Sequence, residues 1–366
     1  MMQVVVNRSA LLEVLTVASN VVASRTTKDI LKCVRLTADK DRLLVSATDL
    51  EVGMRVAVQQ ADVQEKGEAL VPADKLVQIA RESVEDTLAI EADADKCHIR
   101  GTDSHFEIYS QDPAEFPPVP DLEGEADFEI EASVLQSMIE RTVFSVAKEN
   151  TRYAISGLLW EKSDKQLALV GTDGRRLAWT SASVEKLNGD PKQQIVPAKM
   201  VSVLGRVLAH VEGPVAVQVT DNQLIVRGGG YVVSSSLLEG HFPQYRDVLP
   251  KDNDKKVELN TTEFLSGVKR AALLTNEQSK GVRLAFDKGK LTLSSRAPEQ
   301  GEATIGLAIE YPGEPIEIGF NPTFLADALR VVGTPMVSIE LKDPNRPGVL
   351  RAGEDFFYVV MPVSLA

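Results

Sequence analysis

Residues Gly171 to Trp179 read GTDGRRLAW. A Thr-Asp pair, a glycine and two adjacent arginines are the residue types that hold a phosphate, a metal or a carboxylate. A related phrase, ATDLEVG, occupies Ala47 to Gly53 without the arginine pair. Asp49 and Asp173 therefore stand at equivalent places in two stretches of chain, whereas catalysis needs groups that converge on one site. The shared Thr-Asp reads as a turn in which the Asp side chain bonds the backbone. What sets the second copy apart is Gly174-Arg175-Arg176-Leu177.

The remaining reactive residues group no better. His98, His105, His210 and His241 have no HExxH-type spacing, and no GxSxG elbow marks a nucleophile. The run Arg227 to Tyr231, RGGGY, lacks the GK[ST] that grips nucleotide phosphates and reads as a hairpin turn. Cys33 and Cys97 form no CxxC pair, and two thiols in 366 residues make no disulfide framework; both read as small buried apolar residues. The expectation is a protein that is not an enzyme and uses neither metal nor cofactor.

The elements that carry these residues come in three sets, and the length itself suggests two or three domains. Three segments, VVVNRSALLEVLTVASNVV, FEIEASVLQSMIERTVFSV and VELNTTEFLSGVKRAALLT, each join a short strand pattern to an amphipathic helix. Ser9, Ser133 and Thr262 or its neighbour are expected to cap those helices, at spacings of 124 and 129 counted on Thr262. A hairpin follows each: VRLTADKDRLLVSATD, ISGLLWEKSDKQLALVGTD and VRLAFDKGKLTLSSRAP. A second helix then opens behind Pro72, Pro197 and Pro322, each 125 residues from the last. Polar turn-forming stretches at 121–127 and 250–256 separate the sets. The reading is an α+β chain of three tandem domains, 1–124, 125–251 and 252–366, each with two helices against antiparallel sheet.

Organised this way, the chain resembles the bacterial sliding clamps, the β subunits of replicative DNA polymerase III. The resemblance spans all 366 residues and rests on GTDGRRLA, GHFPQYRDVLP, NEQSKGVRL, IGFNP and the terminal YVVMP. It implies a head-to-tail homodimer whose six domains close a ring around double-stranded DNA. It also implies an apolar pocket for short peptides of the replicative polymerase, the clamp loader and repair proteins. Onto that pocket it carries Ile155, Thr172, Gly174, Arg175, Arg176, Leu177, Pro243, Val248, Val359, Val360, Met361 and Pro362. Aliphatic and Met side chains supply an adaptable apolar surface, and a rim arginine is expected to meet a carbonyl or acid of the peptide. Phe106 and Ile108, with Leu273 and Leu274, match the family's dimer interface. On sequence alone all four serve equally well as core.

The net charge of −13 argues against a nucleic-acid binder. Its distribution argues otherwise. The helical segments 9–24, 73–81, 133–148, 198–210, 262–275 and 322–332 together carry +4, so the rest of the chain carries −17. A basic lining with an acidic exterior suits a sleeve that admits DNA and repels it elsewhere. The candidate lining residues are Arg25, Lys75, Arg81, Lys148, Arg152, Tyr153, Lys199, Arg206, Lys269 and Arg270. The rival to a clamp is a three-domain peptide-binding scaffold that never meets DNA, against which the basic helices argue. No apolar run is long enough to span a bilayer, and the N-terminus MMQVVVNRSALLEVL lacks the pattern of a signal peptide, so no membrane and a cytoplasmic location are expected.

Overall fold

The structure is a computed structural model that describes residues 1–23, 25–148, 154–163, 165–185, 188, 191–275 and 281–364. Every strand pairing in it is antiparallel. The chain forms two compact units: Met1–Gln136 with Val184–Gly189 and Lys199–Leu237, and Ser137–Ser183 with Asp190–Ala198 and Leu238–Ala366. The three sequence repeats are thus distributed over two units, with the middle repeat shared between them.

In the first unit a five-stranded sheet runs, in spatial order, Ala61–Glu65, Met2–Asn7, Thr87–Ala92, Lys96–Arg100 and His105–Tyr109. An eight-stranded sheet runs Phe128–Glu131, Pro214–Val219, Gln223–Gly228, Tyr231–Ser236, Val52–Val58, Arg42–Thr48, Cys33–Asp39 and Gly67–Pro72. It passes from the middle repeat to the first where Val233 faces Met54. Helices α1 (Arg8–Ala18) and α2 (Ala73–Glu82) pack together, and α1 lies on strands Arg42–Thr48 and Val52–Val58. Apolar residues at helical and at alternating spacing fill the space between: Leu11, Leu15 and Leu76 from the helices, Leu36, Val45 and Met54 from the sheet, all fully buried.

The second unit repeats this plan. Its eight-stranded sheet runs Lys192–Pro197, Gly157–Lys162, Gln166–Thr172, Arg176–Ser183, Phe356–Val360, Gly348–Ala352, Met336–Leu341 and Lys255–Asn260. It crosses from the middle to the third repeat where Leu177 faces Val359. A four-stranded sheet runs Gly301–Ala308, Lys290–Ala297, Val282–Asp287 and Ile316–Phe320. Between them pack α5 (Thr261–Ala272) and α6 (Pro322–Val331), through Phe264, Val268, Leu325 and Leu329. The middle repeat contributes α3 (Ala132–Glu140) and α4 (Ala198–Leu208).

The expected helices and hairpins are present, but the capping residues differ. Ser9, Ser133 and Thr262 lie inside α1, α3 and α5. The caps are Asn7, which accepts a bond from the Ala10 amide at 3.0 Å, and Asn260, which accepts one from Glu263 at 3.0 Å. An extended Asn just before the first turn presents its carbonyl oxygen to the free amides, so the hydroxyl further along is not needed there. Pro322 occupies the first helical position behind Asn321, whereas Pro72 and Pro197 each end a strand one residue before the helix.

Candidate functional site

Thr-Asp recurs in both phrases, with and without the arginine pair, for the same local reason. In the middle repeat, Asp173 Oδ1 accepts from the Arg175 and Arg176 amides at 3.0 and 3.1 Å, and Thr172 Oγ1 donates to the Arg176 carbonyl at 2.7 Å. In the first repeat, Asp49 Oδ1 accepts from Glu51 and Val52 at 3.1 and 2.8 Å, and Thr48 Oγ1 donates to the Val52 carbonyl at 3.0 Å. The residue after each Asp takes a left-handed backbone, Gly174 at φ 84° and Leu50 at φ 81°. The phrase is a turn template.

The turn places Gly174 to Leu177 at the mouth of a cavity of about 460 Å³. Its lining combines Ile155, Thr172, Gly174, Arg175, Arg176 and Leu177 of the middle repeat, Pro243, Tyr245 and Val248 of the following segment, and Pro347, Val359 and Met361 of the third repeat. Ten of the twelve residues named from sequence are thereby brought together. Val248 is 59% exposed and Met361 44%, so a branched and an unbranched apolar side chain stand open to solvent at the rim. Beneath them Leu177, Val359, Val170 and Tyr245 form one apolar layer with Leu159 and Ile195.

Two named residues do not line the cavity. Along strand Phe356–Val360 side chains alternate between faces, so Val359 looks into the pocket layer while Val360 is buried with Tyr358, Phe264 and Phe320 on the other face. Pro362 follows Met361 outside the lining. Tyr245 and Pro347 line the cavity and were missed. Tyr245 lies inside the quoted GHFPQYRDVLP, so the signal was at hand; Pro347 sits in a loop whose approach only the folded chain reveals.

Of the two adjacent arginines, Arg175 is the exposed one. Arg176 has a different role. Its side chain is 9% exposed; Nε donates to Asp173 at 3.0 Å, Nη1 to Asp327 of α6 at 2.8 Å, and Nη2 to the Phe144 carbonyl at 2.8 Å. The guanidinium also lies 4.3 Å from the centre of the Phe324 ring. Burial works against its charge, but the bonds to Asp327 and Asp173 and the neighbouring Tyr358 outweigh it, so the pKa is raised and the cation is permanent. Arg176 joins the middle repeat to the third and leaves little for a ligand.

Lys199 is tied in the same manner. Its Nζ pairs with Asp49 and donates to the Val21 carbonyl at 3.1 Å, which pins α4 of the middle repeat to the first. Among the other candidate DNA-facing residues, Arg25, Lys75, Arg81, Lys148, Arg206, Lys269 and Arg270 are exposed. Arg152 and Tyr153 lie outside the described residues.

The four interface candidates are not core. Phe106 is 37% exposed and Ile108 half-buried on His105–Tyr109, the edge strand of the five-stranded sheet. Leu273 is 76% exposed at the C-terminal end of α5. Leu274 is half-buried beside Gly301, where the edge strand of the four-stranded sheet begins. Cys33 and Cys97 are buried, which pushes their thiols up to about 11 and about 12. Among the described residues, no group of three or more His, Cys, Asp or Glu is placed to hold a metal, and no helix is long and apolar enough to cross a membrane.

Three family models match in succession: the DNA polymerase III beta subunit N-terminal domain at residues 2–120, its central domain at 129–244 and its C-terminal domain at 246–364. Three tandem α+β domains of this kind are the fold of the DNA sliding clamps. The chain belongs to the DNA polymerase III beta subunit family and is a non-catalytic processivity subunit. It is 36% identical to the beta sliding clamp of Pseudomonas putida over 367 residues, covering all of both chains. The crystal structure of the Pseudomonas aeruginosa sliding clamp bound to griselimycin matches with a TM-score of 0.92 at 34% identity, again over the whole of both chains. The Bartonella birtlesii clamp bound to griselimycin matches with a TM-score of 0.92 at 29% identity over 99% of each.

Proposed function

We propose that two copies of this chain close head to tail into a ring around duplex DNA in the cytoplasm, and that the 460 Å³ cavity holds short peptides of the replicative polymerase, the clamp loader and repair proteins. The observation that carries the peptide reading is the cavity itself. It is an open apolar depression with exposed Met361 and Val248 at its rim, large enough for two or three side chains of an extended segment. Arg175 meets the peptide backbone or an acid at the edge; Arg176 supports the wall from behind. The domains run 1–124, 125–251 and 252–366.

Ring closure joins the edge strand His105–Tyr109 of one copy to the edge strand Gly301–Ala308 of the other, with Phe106 and Ile108 covered by Leu273 and Leu274. Exposed edge strands flanked by exposed apolar side chains support this, because each is a template for a further strand. The contact is heterologous and closes by rotation. The lining uses Arg25, Lys75, Arg81, Lys148, Arg206, Lys269 and Arg270, with Arg152 and Tyr153 from the family pattern; Lys199 contributes only the field of an already paired charge.

The ring is tested on DNA. Loaded onto a nicked circle, the protein should be retained through gel filtration and lost once the circle is cut; equal retention on both overturns the ring. The pocket is tested by calorimetric titration with griselimycin, which the P. aeruginosa clamp binds. Met361→Ser should weaken that binding by about tenfold or more through lost apolar contact. Unchanged affinity places the ligand elsewhere.

A further inference from the structure

Residues 238–250 cross the sheet face beside the pocket and supply one of its walls, yet among the described residues few backbone bonds hold them there. The Leu238 amide donates to the Ile195 carbonyl at 2.9 Å, and the His241 carbonyl accepts from Ala154 at 3.4 Å. The single-turn helix Tyr245–Val248 is linked to Pro243 and Gln244 of its own segment. Phe242, Tyr245 and Leu249 rest on the apolar layer of Leu159, Val170 and Ile195. Such contacts hold the segment down but set its register poorly, because apolar attraction has no direction.

One polar group interrupts that layer. Glu161, on strand Gly157–Lys162, has a side chain only 9% exposed. Its carboxylate accepts from both terminal nitrogens of Arg246, at 3.0 and 2.9 Å, from the Tyr245 hydroxyl, and from the Gln193 amide of the neighbouring strand. Arg246 folds back over the Tyr245 ring at 4.8 Å, which closes the arrangement. Burial, together with the bond to Glu161, holds the Tyr245 hydroxyl well above the usual tyrosine range, so it remains a donor. A buried carboxylate gains little over an apolar side chain of like size, since desolvation offsets most of the pairing. A forked pair with a third directional bond does fix geometry, which the apolar layer cannot.

We propose that Glu161 is a positioning residue of the peptide pocket: through Tyr245 and Arg246 it holds segment 238–250 in the register that makes Pro243, Tyr245 and Val248 a wall. This rests on reading the cavity as the peptide site. Glu161 touches no ligand; it acts through the wall.

The test uses the full chain, griselimycin titration, and hydrogen exchange read by mass spectrometry. Glu161→Gln keeps the shape and removes the charge, and Tyr245→Phe removes a single hydroxyl, so the second remains informative if the first folds poorly. Each should weaken griselimycin by about tenfold, and the double variant should be no more than about threefold worse than the weaker single, because both break one unit. Exchange should quicken in 238–250 while strands Gly157–Lys162 and Gln166–Thr172 keep their protection, a pattern that a general loss of stability would not produce. Binding within twofold of the parent in both variants overturns the proposal and leaves the pocket reading intact. Failure of the parent chain to bind griselimycin at all overturns both.

Discussion

Two adjacent arginines with the same charge meet opposite surroundings. Arg176 is enclosed by Asp173, Asp327 and the Phe144 carbonyl, whereas Arg175 stands in solvent. Arg176→Ala takes one charged partner from each of two carboxylates that are only 20% exposed, while Asp327 keeps Arg330 and Asp173 keeps two backbone amides, and should cost about 2 kcal/mol of stability in urea unfolding. Arg175→Ala should lie within about 0.5 kcal/mol of the parent and, on the proposed reading of the cavity, alter only peptide affinity. Any loss of peptide binding in the Arg176 variant should therefore track the loss of stability. The thiols allow a second check. With Cys33 at about 11 and Cys97 at about 12, about one thiol in a thousand or fewer is ionised at pH 8. Ellman's reagent should therefore react only as the protein unfolds; prompt reaction in the native state would contradict the burial of both.

At the level of the elements, the repeated Thr-Asp turn shows how one backbone solution tolerates different side chains. Gly174 and Leu50 share a left-handed conformation that costs an ordinary residue about 1–2 kcal/mol. A Cβ at Gly174 would meet nothing within 4 Å, so Gly174→Ala should destabilise by about 1 kcal/mol through backbone strain alone. Leu50, 54% exposed and already strained, should gain a similar amount on replacement by glycine. Chemical denaturation of both variants checks the pair, and equal signs would refute the shared turn. These elements were legible in sequence because period-two and helical spacing are written in consecutive residues. The caps lie two residues before Ser9 and Thr262, because Asn7 and Asn260 already present a side-chain oxygen to the free amides of the first turn. The face on which Val360 lies was not legible, since a run of consecutive apolar residues carries no alternation to read.

For the whole molecule, the proposed ring makes retention a matter of threading. Light scattering should give twice the chain mass, and Leu273→Asp should yield single chains, because it sets a charge in a contact that closure must dry. A protein held by many phosphate contacts loses about a thousandfold or more in affinity between 50 and 200 mM salt. The clamp on a closed circle should lose far less, and its departure from a linear fragment should quicken only modestly. A steep salt dependence on the circle would mean that adhesion, and not topology, holds it.

Consecutive residues settled a good deal. The threefold spacing of prolines, hairpins and amphipathic helices, the class of fold, and most of the pocket's membership depend on local periodicity and on short phrases that survive as written. The fates of Arg176, Lys199 and Glu161 were settled elsewhere. Each forms its deciding bonds across at least 32 residues of chain, Arg176 with Asp327, Lys199 with Asp49, Glu161 with Tyr245, Arg246 and Gln193. Charge and spacing make such a residue a candidate for DNA, for a peptide or for a salt bridge within the fold. Only the packed sheets determine which partner arrives first, because desolvation leaves a buried charge no choice but to bond whatever the fold has placed beside it.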